Sequence, residues 1–150
     1  MKLAEALQSR SDLNKQIDQL KNRIYNNALV QEGEQPNEEP EELLKELTKS
    51  INSLEELMIK INTTNCQSIV DGKSLTELIA KRDCLKIRIE VYKSLVETAS
   101  CNTQRATRTE IKILPTVNVK ETQKKVDRLS KELRLIDNKI QQANWNIDLL

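Results

Sequence analysis

Residues 3–27 read LAEALQSRSDLNKQIDQLKNRIYNN, with Leu3, Ala6, Arg10, Leu13, Ile17, Leu20, Ile24 and Asn27 falling at alternating steps of three and four. That spacing brings one residue per turn to a single line along a helix and leaves the intervening charged and amide side chains to water. The same arithmetic returns three more times. It gives Leu44, Leu47, Ile51, Leu54, Met58 and Ile61; then Leu75, Leu78, Arg82, Leu85, Ile89, Tyr92, Val96 and Ala99; then Val126, Leu129, Leu133, Ile136, Ile140, Ala143 and Ile147. The predicted helices run over about 2–30, 41–62, 75–99 and 119–148.

Their boundaries have local causes. Gly33, Pro36 and Pro40 break any helix between Val30 and Pro40, and the acids there keep the segment solvated. Glu41 and Glu42 suit the positive end of the second helix. Asp71-Gly72 favours a tight turn, and Ser74 with Glu77 has the spacing of a capping box. Asn118 with Glu121 repeats that signal before the last helix. Between Ser100 and Thr116 the periodicity lapses, and Glu110-Ile111-Lys112-Ile113-Leu114-Pro115 alternates weakly enough for a short strand or an extended arm.

The expected fold is therefore all-α: one domain, residues 1–150, with four long amphipathic helices in an antiparallel bundle of coiled-coil-like packing and a short strand pair in the long loops. A chain of 150 residues can bury a core without staples. Charged residues at 31%, only 2 Gly and no Phe fit long Leu- and Ile-packed helices.

Composition also narrows function. With 24 Lys+Arg against 23 Asp+Glu, nothing draws the chain to nucleic acid or to an anionic membrane. Cys66, Cys84 and Cys101 make neither a disulfide framework nor a thiolate zinc site. The amino terminus becomes charged by Arg10 and Asp12, too soon for a signal peptide, and no stretch reaches the length of a membrane span; a cytoplasmic protein is expected. The absence of His removes Glu-x-x-His di-iron bundles and the Ser-His and Cys-His nucleophile systems. The acidic loop does not match a calcium-loop spacing. No metal, cofactor or catalytic residue is expected, and the chain reads as a non-enzyme.

Two irregularities remain. Arg10 and Arg82 stand where the first and third rows call for apolar residues, and Glu55, Glu56 and Asp137 lie at suitable heights to pair with them. Such a group is either a salt-bridge layer that fixes helix register or an inward site for an anion or small molecule, and the structural role is the better-attested use. Trp145 falls one position off the last row, which suits a subunit interface as well as a bundle cap. Arg105, Arg108 and Lys112 form a basic stretch able to meet Glu32 and Glu34 of the acidic loop in the same or another copy. The expected partner is a second copy of the chain, in a homo-oligomer that acts through protein contacts.

Several stretches in order along the whole chain carry a family resemblance: Asn26-Asn27-Ala28, Val30-Gln31-Glu32-Gly33-Glu34 with Pro36 and Pro40, Asp71-Gly72-Lys73-Ser74-Leu75-Thr76, Arg82-Asp83 with Leu85, Glu110-Ile111-Lys112, Leu129-Ser130-Lys131-Glu132-Leu133-Arg134 and Ala143-Asn144-Trp145. Together these resemble the septicolysin-like family of small bacterial proteins. The resemblance implies a helical bacterial protein of uncharacterised biochemical function. The family label further suggests a membrane-active cytolysin, which would require the helices to refold outward on a bilayer.

Overall fold

The computed structural model describes residues 1–101 and 112–150. Four helices carry the chain: α1 (Leu3–Asn26), α2 (Pro40–Gln67), α3 (Leu75–Ser100) and α4 (Val119–Asn146). A two-strand hairpin, β1 (Ile69–Val70) and β2 (Lys73–Ser74), leads into α3. Two compact units result, Met1–Ile69 with Ala143–Leu150 and Val70–Gln142.

The helix limits follow from the caps. Pro40 opens α2 at a position where its missing N–H leaves no bond unmade. Ser74 Oγ accepts from the Glu77 N–H (3.2 Å), and the Ser74 N–H donates back to Glu77 Oε2 (2.7 Å), completing the expected box. That return bond, with a second from the Ser74 hydroxyl, holds the Glu77 carboxyl below the ordinary range. Asn118 Oδ1 accepts from the Glu121 N–H (3.0 Å) at the start of α4, again as expected.

Two boundaries differ from the sequence expectation. Helix α1 stops at Asn26 instead of near residue 30, because Asn27 folds its side chain back to donate to the Arg23 carbonyl (2.8 Å) and offers Oδ1 to the Glu38 N–H (3.1 Å), turning the chain away. Helix α2 runs five residues past Asn62, to Gln67. There the buried Thr64 donates to the Lys60 carbonyl (2.8 Å) and accepts from the Leu150 N–H (3.1 Å), so a tertiary bond supports the extra turn.

A short strand pair forms around Asp71-Gly72, which the sequence marked only as a tight turn; both central residues take positive φ (51° and 78°), the backbone of a tight two-residue hairpin. The short strand or extended arm read at 110–115 falls partly outside the described residues, and Lys112–Pro115 are not in a strand.

In the first unit α1 and α2 run antiparallel. The buried side chains are Leu3, Ala6, Leu20, Leu43, Ile61 and Ala143, with Ser50, Thr64 and Asn144 among them. The tail closes this unit: Leu149 N–H donates to the Met1 carbonyl and Leu3 N–H to the Ile147 carbonyl (2.9 Å each). In the second unit α3 and the first six turns of α4 run antiparallel, burying Leu75, Leu78, Leu85, Ile89, Val126, Ile136 and Ile140.

The expected rows of α1, α3 and α4 are all buried or half-buried. The row expected for α2 is rotated. Leu43, Ser50 and Thr64 turn inward with Ile61, while Leu44, Ile51 and Met58 are more than two-fifths exposed. Leu43, Ser50, Leu57 and Thr64 share the same seven-residue spacing, and the smaller polar members hide that second row from a hydrophobicity reading.

Candidate interaction surfaces

The residues singled out in the sequence distribute over both units. Arg82 lies on the inward row of α3, and its side chain keeps 23% of its exposure. Its guanidinium donates through Nε to Asp83 Oδ1 (2.9 Å), and Nη1 stands 3.9 Å from Asp137 Oδ1 of α4. Two carboxylates already face this cation, so the charge is matched within the protein. Arg10 is half-buried on α1 of the other unit, and no ion pair joins it to Glu55 or Glu56, which are exposed on α2. Glu32 and Glu34 are exposed in the acidic loop, and Lys112 is exposed. Arg105 and Arg108 lie outside the described residues.

Helices α3 and α4 are laced by charge along their length. Lys139 Nζ meets Asp71 Oδ2 and Lys81 Nζ meets Glu132 Oε1 (2.6 Å each), and Lys125 Nζ sits 4.6 Å from the Tyr92 ring centroid. Partly exposed pairs of this kind stabilise little individually, but a single register satisfies all of them. In the first unit Arg23 makes a two-pronged contact with Glu38, which holds the Glu38 carboxyl below the ordinary range. Lys2 reaches Asp148 (2.9 Å) and the Asn146 carbonyl (3.0 Å), and its ammonium lowers the Asp148 carboxyl in the same way. None of these pairs stood out in the sequence; Lys81 and Glu132 could have been found from the antiparallel pairing of α3 with α4.

Among the described residues, no three Cys, Asp or Glu side chains cluster to hold a metal ion. No described helix is long and apolar enough to cross a membrane.

What the surface offers is apolar. Trp145 is 63% exposed and, with Met1, Ala4, Glu5, Gln8 and Ser9, lines a shallow groove of about 580 Å³. Its neighbour Asn144 takes the buried place, so the displacement of the indole from the inward row is real. Helix α3 carries a second apolar row on the side away from its core: Ile87 at 64% and Val91 at 61% exposure, against 4% for Leu85.

A family profile described as a family of unknown function, DUF6847, matches residues 10–149. The chain belongs to this family. A solved structure, titled as a functionally unknown conserved protein from Corynebacterium diphtheriae, is 34% identical, covers 100% of this chain and 99% of its own, and superposes with a TM-score of 0.93. No curated protein matches the chain. The comparisons carry the bacterial resemblance as far as this family and lend nothing to a septicolysin-like label.

Proposed function

We propose that the protein is a non-enzymatic, cytoplasmic helical protein that associates with itself and works through protein contacts. The observation that supports this is the quantity of large apolar side chain left at the surface of otherwise charged helices. Leu44, Ile51 and Met58 line one side of α2, Ile87 and Val91 the outer side of α3, and Trp145 its groove. Single exposed apolar residues are ordinary, but rows of them along a helix are the mark of a surface that another protein covers. Trp is also the residue most enriched at the energetic centres of interfaces.

The test is native mass spectrometry of the untagged protein across a concentration series. A discrete oligomer without extra mass is the expected spectrum. A monomer at every concentration, or a small-molecule adduct that disappears in Arg82→Ala, would overturn the reading.

A further inference from the structure

We infer that the outer face of α3 is a seam on which a second copy of the chain lays its own α3 in parallel, Cys84 against Cys84. The inference rests on the self-association proposed above and names the surface and orientation that produce it.

The row consists of Ala80, Cys84, Ile87, Val91 and Leu95, at steps of four, three, four and four, each exposed. It spans about 22 Å of helix. Leu75, Leu78, Leu85 and Ile89, the buried residues of α3, lie on the opposite side, so the outer row is not a rim of the core. Helix α3 is thus apolar on two faces, one of them covered by its own unit. With Cys84 and Val91 at the first core position of a heptad and Ala80 and Ile87 at the second, these four residues have the layout of a short coiled-coil seam, and Leu95 stands on its flank.

The charges beside the seam choose the occupant and its direction. Asp83, Glu90 and Glu97 recur every seven residues along one flank, and Lys81 and Arg88 along the other. In two parallel copies Asp83 of one falls opposite Arg88 of the other, twice over by symmetry, while Glu90 falls opposite Leu95 and Lys81 stays with Glu132 of its own unit. Antiparallel copies would oppose acid to acid along the whole seam. Asp83 remains 56% exposed while it accepts from Arg82, and Arg88 is exposed, so both are available for that pairing. A face with three acids and two bases has no preference for an anionic bilayer. The short seam and the small Ala80 and Cys84 suit a reversible dimer at the low end of interface size.

The native thiol reports the register. In a Cys66→Ser, Cys101→Ser protein, mild copper-catalysed oxidation at rising protein concentration should yield a Cys84-linked dimer, identified by peptide mapping. Ile87→Lys should reduce its yield at least tenfold while leaving the helical circular dichroism unchanged. Independently, in the protein with all cysteines native and reduced, Asp83→Arg and Arg88→Asp should each weaken dimerisation by sedimentation velocity, and the double swap should restore it. An oligomer that neither crosslinks through Cys84 nor shows the rescue would overturn the seam while leaving self-association intact. A monomer throughout would remove both.

Discussion

The two helical hairpins keep their shape by different means. Helices α1 and α2 are tied at their ends: at one, Met1, Lys2 and Leu3 meet Asn146, Ile147, Asp148 and Leu149 through hydrogen bonds and one ion pair and Thr64 accepts from the Leu150 N–H, and at the other Arg23 pairs with Glu38. Helices α3 and α4 are tied along their sides by Asp71 with Lys139, Arg82 with Asp137, Lys81 with Glu132 and Tyr92 with Lys125. A side-laced pair can fix its register with charge on its flanks and leave the back of a helix unused. On α3 that back is apolar, and it is where the two regions differ most in what they offer to a partner.

Core truncation gives the largest expected effect and tests whether the two faces of α3 are as unlike as their exposure. Leu20→Ala in the first unit and Leu85→Ala in the second should each cost about 2–5 kcal/mol. Ile87→Ala should change the stability of the isolated chain by less than about 0.5 kcal/mol. Urea unfolding at a concentration where the protein is monomeric decides this; an Ile87→Ala cost equal to that of Leu85→Ala would make the outer row part of the core.

The end-tied character of the first hairpin is sharpened by Thr64→Val. It keeps the shape and removes the hydroxyl that accepts from Leu150, for an expected cost of about 1–2 kcal/mol. Hydrogen exchange should show the protection of the carboxyl-terminal residues falling while the amides of α3 hold. Equal loosening of both regions would erase the distinction between them.

Acid gives the smallest effect and touches both regions. Glu38, held by Arg23, and Glu77, held by the Ser74 cap, both have folded-state values below the unfolded 4.5. Groups lowered in this way contribute stability that is fully present above 4.5 and is lost as pH falls through the folded value. Melting temperatures measured from pH 6 downward should therefore drop below about pH 4.5. Glu38→Gln should flatten part of that drop, and Glu77→Gln another part. No change in slope for either variant would show that the exposed pairs are too well screened to matter.

How far the sequence carried this description depended on whether a row stood alone. In α1, α3 and α4 one row of large apolar residues ran at helical spacing, and it turned inward as read. In α2 two rows overlap, and Ser50 and Thr64 gave the buried one a polar look. A buried hydroxyl is tolerable only because Lys60 and Leu150 supply its bonds, and Leu150 is far away in sequence. Arg82 met Asp137, one of the acids named from height along the helices; Glu55 and Glu56 stayed at the surface, because heights alone do not fix which way a helix is rotated. The outer row of α3 was present in the spacing of Ile87, Val91 and Leu95, yet the stronger inner row on the same helix already accounted for a complete amphipathic pattern.

The central claim, that the chain associates with itself through the outer apolar row of α3, is tested by sedimentation velocity over a hundredfold concentration range. Wild type would be compared with Ile87→Lys on α3 and Leu44→Lys on α2. The account predicts a sedimentation coefficient that rises with concentration in wild type, stays at the monomer value in Ile87→Lys and is nearly unaffected by Leu44→Lys. A coefficient that is flat at the monomer value for all three proteins would contradict it.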